Sequence, residues 1–324
     1  MNNILNIELC VQGIRTTASF EDGNKIHVSK FELMFGSRKI PNCLSISYQI
    51  NVPNDSIKNQ TAINNLLQNE IDPAVDILSL LLNRPFKFLD YIATVNGNKV
   101  KFQTPTSSSF KRLYNFQNPV SIYRGDLSYS VLVKAKNWSE LSSAINSFRN
   151  LTEQNRKSLQ LPLHWFAMAR QEAYSPDRFI SYWIAFNALY SDSAKTEQDA
   201  IKKYFDNQIE DSIVSNFIKF NKNWLEVISE SRIELRPKRI ISKELKNVLT
   251  SNKTSDREIM KLALLALYGI RNNLFHGSYH LNSSDVFPLL EAAEITLSDF
   301  LRRKLLSFLN IKTQEIVIEE ATGI

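Results

Sequence analysis

Two polar side chains at the end of an apolar segment could together cleave a phosphodiester. Arg271 and His276 lie five positions apart, and Gly277 directly follows the histidine. Histidine exchanges protons readily near neutral pH. Arginine carries a permanent charge on a planar guanidinium group, which can bind two phosphate oxygens at once. RNA cleavage without a metal needs a base for the ribose 2′-hydroxyl, an acid for the departing 5′-oxygen and a cation beside the phosphorane. Histidine and arginine are thus residue types that could serve phosphoryl transfer.

The segment before them, from Ile259 to Ile270, is almost wholly apolar and predicts a buried helix. In an unbroken helix Arg271 and His276 would point roughly 140° apart, so they converge only if the helix ends close to them. Gly277 predicts such an end, because glycine adopts the left-handed conformation that follows many helices. The spacing alone leaves another explanation open, in which arginine and histidine favour the helix dipole and the glycine is an ordinary cap.

A known family shows the same pattern. The string Arg271-Asn272-x-x-x-His276-Gly277 at the end of an apolar helix resembles the R-x4-6-H signature of the HEPN superfamily, and Ser175 to Ser191 is similar to the second bundle helix of Apea-like HEPN proteins. The resemblance covers roughly the second half of the chain. It implies a helical bundle and an endoribonuclease in which Arg271 binds the scissile phosphate and His276 is the general acid/base.

The same resemblance implies roles for three supporting residues. Asn272 would orient Arg271 or His276, or contact RNA. Asn187, on the second helix, would face the site, and a core asparagine bonded to backbone is the alternative explanation. Tyr279 comes three positions after His276, whereas some HEPN toxins carry a tyrosine two positions after the histidine and are silenced by nucleotide modification there.

One imidazole cannot be both acid and base in the same step, so a single motif is chemically incomplete. HEPN ribonucleases are typically dimers in which two motifs face one cleft, and the resemblance implies a homodimer through the helical bundle. Leu264 and Leu267 continue the face of Arg271, which predicts either a partner surface or burial in a larger bundle.

Three functional hypotheses follow from the motif. The first is a metal-independent endoribonuclease, for which the resemblance to HEPN proteins implies a toxin or antiviral effector with an antitoxin or regulatory partner. The second is a catalytically inactive HEPN module that binds RNA or nucleotide and dimerises. The third is a helical scaffold in which arginine and histidine only cap a helix.

The charge of the chain is compatible with a nucleic-acid partner. The formal net charge is +6 and the sequence pI is about 9.1, a modest excess of positive charge. Two basic clusters are candidate contacts for RNA phosphates: Arg236, Lys238 and Arg239 in one, Arg302 and Arg303 in the other. A solvated surface is the alternative explanation for each cluster.

The elements that must position these residues differ between the two halves of the chain. Alternating apolar residues over 43–52 predict a half-buried strand, and Asn96-Gly97 predicts a hairpin turn. Helical spacing over 61–70 and 73–82 predicts helices beside the sheet. We expect an α+β chain: a mainly antiparallel sheet domain with helices over 1–136, of unknown role, a HEPN-like all-α bundle over 137–310 and a tail over 311–324.

The helical half also has a predicted aromatic core. Phe179, Trp183, Phe186 and Tyr190 fall near one face of the helix that begins close to Pro176, which is typical of core packing. A platform for stacking bases would instead need these rings to be exposed.

Several classes of protein are disfavoured by what the sequence contains. Cys10 and Cys43 are its two cysteines, and with no secretory segment or apolar run long enough to span a membrane we expect free thiols in the cytoplasm. His276 and His280 have a spacing that could chelate a metal, but Gly277 between them argues against a continuous helix, and a third ligand is not evident. We therefore expect no metal, no cofactor and no membrane partner.

Overall fold

The computed structural model describes the backbone of residues 2–12, 14–16, 25–28, 31–35, 43–53, 72–83, 87–95, 98–99, 131–133, 135–172, 174–190, 194–235, 239–251, 253–277, 279 and 286–311. Within these ranges it describes the side chains of 72–83 and of residues from 139 onward. Several predicted features lie outside the described residues: the helix over 61–70, the Asn96-Gly97 turn, Arg236, Lys238, His280 and the tail beyond residue 311.

The chain divides into two compact units. The first comprises residues 1–156 and 309–324, and the second comprises residues 157–308. The domain boundaries predicted at residues 136 and 310 stay predictions.

The first unit contains eight described strands and two helices, and the strands are described by their backbone. The strands are β1 (Asn2–Gln12), β2 (Ile14–Thr16), β3 (Lys25–Val28), β4 (Phe31–Phe35), β5 (Cys43–Pro53), β6 (Lys87–Val95), β7 (Asn98–Lys99) and β8 (Val131–Val133), and the helices are α1 (Asp72–Leu82) and α2 (Ala135–Asn150). Backbone pairing joins six strands in the order β3-β4-β5-β1-β6-β7, each pair antiparallel. Strands β2 and β8 pair in parallel.

The predicted fold class, an α+β chain led by an antiparallel sheet domain, is wrong. Where both backbone and side chains are described, 82% of the residues are helical and only a two-stranded sheet is present. This part of the chain is therefore mostly helical and is not led by a sheet domain. Alternation of apolar and polar residues predicts which face a strand would bury, but it does not establish that a core covers that face.

The second unit is a bundle of helices with one short β-ribbon. The elements are α3 (Glu153–Ala169), which begins in the last residues of the first unit, α4 (Ser175–Tyr190), α5 (Glu197–Gln208), α6 (Asp211–Glu230), β9 (Glu234–Leu235), β10 (Arg239–Ile240), α7 (Ile241–Leu249), α8 (Asp256–Phe275) and α9 (Val286–Phe308). Helix α9 packs against α4 and α6, and α8 packs against α6 and α7.

Aromatic rings from α4 form the centre of this bundle. Phe179, Trp183, Phe186 and Tyr190 are all buried, which confirms the core predicted for this stripe. Phe186 makes edge contacts with Trp183 and with Phe300 of α9, at ring-centroid distances of 5.4 Å in both cases. Such contacts add about 0.5 to 1.5 kcal/mol per pair to the burial of the rings, so α4 is firmly positioned.

Helix α5 is fixed at its C-terminus by two cations from other helices. Lys304 of α9 is buried and donates to the Gln208 carbonyl at 2.6 Å. Arg257 of α8 donates to the carbonyls of Ile209 and Phe205 at 3.1 and 3.3 Å. The last carbonyls of a helix have no partner within it and favour positive charge. These contacts therefore hold α5, which carries a residue of the site at its other end.

The ribbon approaches α8 closely at Gly269. A Cβ atom at this position would lie 2.5 Å from Ile233 Cγ2 and 3.2 Å from Leu235 Cδ2. Ile233 is fully buried, so its side chain has little room to move. Glycine is therefore the residue that lets the ribbon pack on this helix.

We expect Gly269→Ala to destabilise the protein. Steric overlap costs about 1 to 3 kcal/mol, and the better helix propensity of alanine offsets about 1 kcal/mol of that. The free energy of unfolding, measured by urea denaturation, should therefore fall by up to about 2 kcal/mol. In an Ile233→Ala background the offending Cγ2 is absent, and the same substitution should be neutral or stabilising. Equal destabilisation in both backgrounds would contradict the packing described for Gly269.

Candidate functional site

The site lies at the C-terminus of α8, where the sequence predicted a helix end. The helix runs to Phe275, and His276 is its C-cap, with its N–H donating to the Asn272 carbonyl at 2.9 Å. Gly277 then takes a left-handed conformation with φ of 66°. This confirms the predicted end of the helix, because glycine adopts such a φ without steric cost.

The helix ends too late to bring Arg271 and His276 together within one chain. His276 is still on the helical path, since its N–H bonds the carbonyl four residues earlier. At about 100° per residue, the two side chains leave the helix roughly 140° apart. The described part of the chain contains neither a hydrogen bond nor an ion pair between Arg271 and His276. Both residues therefore lie at the C-terminal end of α8, but they project from different faces of the helix.

The Arg271 guanidinium is held by hydrogen bonds along one edge and by an aromatic ring on one face. Its Nη1 donates to Glu197 Oε2 at 3.4 Å and to Asn272 Oδ1 at 2.9 Å. Its Cζ lies 4.7 Å from the ring centroid of Phe275, within the range of a cation–π interaction. Nε is buried without a hydrogen-bond partner, and Nη2 makes no hydrogen bond to any described residue. Nη1 is thus fixed by the protein, whereas Nη2 has no partner among the described residues and could bind a ligand.

Glu197 is anchored by two aromatic residues from α4. Its Oε1 accepts from the Tyr190 hydroxyl at 2.8 Å and from Trp183 Nε1 at 3.4 Å. Burial, together with the hydrogen bond to Glu197, raises the pKa of Tyr190, so the hydroxyl stays protonated and continues to donate. The carboxylate and Arg271 are each one-quarter exposed. The aromatic core therefore positions the carboxylate, and the carboxylate positions the guanidinium.

Sequence reasoning did not identify Glu197. The local signal was present, because Thr196 caps α5 by accepting from the Asp199 N–H at 3.2 Å, which places Glu197 in the first turn. Nothing in the sequence, however, links this turn to Arg271, which lies 74 residues further along the chain. Only the packing of α5 against α8 brings them together.

His276 and the ring before it are open to solvent. His276 is exposed, and Phe275 is 57% exposed. Asn273 donates to the Tyr279 hydroxyl at 3.1 Å, so Tyr279 is bonded to the end of the helix. Burial raises the pKa of Tyr279 and the bond from Asn273 opposes that rise. The tyrosine stays neutral around pH 7.

The other supporting residues are placed as follows. Asn272 accepts from Arg271, which agrees with the orienting role that the resemblance implies. Asn187 is exposed on α4, which argues against the alternative of a buried core asparagine. Leu264 and Leu267 are fully buried within the single chain, so this face of α8 is core and is not available to a second copy.

The described candidates for RNA phosphate contacts have internal interactions. Arg239 Nε donates to Glu244 at 2.6 Å, and that bond lowers the pKa of Glu244. Arg303 donates twice to Asp299, at 2.8 Å each. Burial lowers the pKa of Arg302 to about 10, so Arg302 keeps its charge at neutral pH. Their binding to RNA stays a prediction.

Neither a metal site nor a membrane-spanning helix is found in the part of the chain that the structure describes. Among the described residues, no group of three or more His, Cys, Asp or Glu side chains could hold a metal ion. No helix in that part of the chain is long and apolar enough to cross a membrane. Comparison with protein-family models, with curated proteins and with solved structures gives no match for this chain.

Proposed function

We propose that the protein is a metal-independent endoribonuclease of the HEPN type, in which Arg271 binds the scissile phosphate and His276 transfers the proton. The observation that carries this proposal is the arrangement of Arg271. Its guanidinium is fixed by Glu197, Asn272 and Phe275, and its Nη2 has no hydrogen-bond partner among the described residues, at the same helix end as an exposed imidazole. Fixed donors stabilise developing charge without reorganising during the reaction.

The partial pairing of Arg271 with Glu197 is compatible with phosphate binding. The contact of 3.4 Å is long for a charge-assisted hydrogen bond, and it uses only one amino group of the fork. A phosphate oxygen could therefore bind Nη2 while Glu197 keeps the group in place. The carboxylate would act as a positioning residue and not as a competitor for the same nitrogen.

The divergence of Arg271 and His276 favours a site built from two copies of the chain. One imidazole serves one proton transfer at a time, and the two side chains of one helix point in different directions. In the proposed homodimer, two helix ends face one cleft, and an imidazole from each copy supplies the base and the acid. Because Leu264 and Leu267 are buried, the dimer contact would use other surfaces of the bundle.

An endoribonuclease of this kind has a restricted set of biological roles. We infer a cytoplasmic toxin or antiviral effector, as the resemblance to HEPN proteins implies. An enzyme that cuts cellular RNA must be controlled, so the proposal includes an antitoxin or another regulatory partner.

Cleavage of RNA in the presence of EDTA tests the proposed activity. The purified full chain is incubated with a mixed RNA pool and excess EDTA, and with Lys222→Ala as a control that removes an exposed cation from α6. We expect the wild type and the control to cleave equally, with or without EDTA. Failure of the wild type to cleave, or cleavage that needs an added divalent ion, would contradict the proposal.

A second candidate function is RNA binding without catalysis. The pairing of Arg271 with Glu197 and the lack of a contact between Arg271 and His276 favour it. If this function is right, the wild type and His276→Ala should bind RNA equally well, and Arg271→Ala should bind it less well. None of the three proteins should cleave RNA. Gel-shift and cleavage assays on the same three proteins separate the two functions.

A further inference from the structure

Phe275 is an exposed aromatic residue directly before His276. Its side chain is the last of α8 and is 57% exposed. The large aromatic rings of the bundle core are fully buried by comparison, among them Phe179, Phe186 and Phe300. Covering exposed apolar surface is favourable by roughly 25 cal/mol per Å², so a ligand that packs on this ring would be stabilised by the contact.

The two faces of the Phe275 ring are unequal. The Arg271 guanidinium lies over the ring at 4.7 Å from its centroid. The exposed fraction of the side chain leaves surface for a second flat group. Arginine on one side fixes the ring and leaves a stacking surface beside a cation, which is the combination that binds the bases of single-stranded nucleic acids.

We propose that Phe275 stacks a nucleobase of single-stranded RNA next to the phosphate bound by Arg271, an inference that rests on the proposed ribonuclease function. The occupant is defined by two features of this helix end. Arg271 Nη2 has no hydrogen-bond partner among the described residues and could bind a phosphate. The Phe275 ring, which contacts the same guanidinium, has exposed surface on which an aromatic group could stack. A nucleotide supplies both groups in one ligand. Double-stranded RNA keeps its bases stacked and paired, so the site selects single strands.

The bundle offers a matched control at Phe220 of α6. This ring is 59% exposed and carries the Arg303 guanidinium 4.8 Å from its centroid. Its exposure and its cation–π contact therefore resemble those of Phe275. Arg303, however, is bonded twice to Asp299, and Phe220 lies on α6, which does not carry the motif. Replacement of Phe220 measures the general effect of losing an exposed, cation-covered ring.

The test compares Phe275→Ala, Phe275→Trp and Phe220→Ala on a single-stranded 20-mer RNA of mixed sequence. We expect Phe275→Ala to raise KM by about 10-fold, in line with stacking of one base, with kcat changed much less. Phe275→Trp should restore KM, because its ring also stacks. Phe220→Ala should stay within twofold of the wild type. An RNA of the same length whose bases are all removed should be cleaved equally by wild type and Phe275→Ala.

The outcomes separate this inference from the proposed function. An unchanged KM in Phe275→Ala, with cleavage still lost in His276→Ala, would overturn stacking and leave the ribonuclease intact. If the wild type cuts no RNA, fluorescence of a 2-aminopurine-labelled 20-mer decides alone: quenching by wild type but not by Phe275→Ala supports stacking, and equal behaviour overturns it. If Phe275→Ala changes the oligomeric state in gel filtration, a second copy covers the ring and the inference is wrong.

Discussion

We expect His276→Ala to lower the rate of RNA cleavage by at least about 10²-fold and to leave the protein folded. The side chain is exposed and follows the last residue of α8, and its backbone N–H makes the capping bond to Asn272. Alanine keeps that backbone bond, so we expect the free energy of unfolding to change by no more than about 0.5 kcal/mol. Loss of a general acid/base lowers the rate by about 10² to 10⁴-fold. If each copy in a dimer loses its imidazole, the effect should lie at the upper end of that range.

Rates on a mixed RNA pool and thermal unfolding of the same preparations check this expectation. His164→Ala is the control, because it removes an imidazole from α3, a helix that does not carry the motif. It should cleave RNA within a few fold of the wild type. Equal cleavage by His276→Ala and wild type would show that this imidazole is not catalytic. A fall in activity that merely follows a fall in melting temperature would assign His276 a structural role.

Arg271→Ala is expected to lower kcat/KM by about 10² to 10³-fold. The substitution removes the charged fork that we propose for the scissile phosphate, and loss of one such preorganised donor costs about that much. It also leaves Glu197 without its cation, although the carboxylate keeps its bonds from Tyr190 and Trp183. The stability cost should be small, because both members of the ion pair are one-quarter exposed.

Glu197→Gln is the matched variant for this prediction. It breaks the same ion pair and leaves the guanidinium in place, stacked on Phe275 and bonded to Asn272. We expect it to reduce kcat/KM by less than about 10-fold, since Asn272 and Phe275 still position the group. If Arg271→Ala and Glu197→Gln were equally impaired, the ion pair and not the phosphate contact would account for the loss.

The C-terminal helices were the most predictable part of the structure. The apolar run before Arg271 predicted a buried helix, and Gly277 predicted its end, because one residue type suits that backbone conformation. The aromatic stripe of α4 predicted a core face for a similar local reason. Periodicity and capping are local signals, so the sequence is sufficient to recognise them.

The contacts between distant residues were not predictable. Glu197 was missed because its contact with Arg271 depends on the packing of α5 against α8. Arg303 is a candidate contact for RNA phosphate, and it also bonds Asp299 on the same helix; its binding to RNA stays a prediction. A charge pattern does not say which cations have carboxylate partners. The fold-class prediction was wrong because the part of the chain described in full is mostly helical, and the periodicity of single strands does not predict which type of element dominates.

The RNA ends left by cleavage test the central claim most directly. A single-stranded RNA is cut in EDTA by the full chain, and the same RNA is prepared with one 2′-deoxy nucleotide at the mapped cut. Attack by the 2′-hydroxyl predicts a 2′,3′-cyclic phosphate on one fragment, a 5′-hydroxyl on the other and no cut at the 2′-deoxy position. Cleavage of the 2′-deoxy substrate, or a 5′-phosphate on the product, would contradict the account of Arg271 and His276.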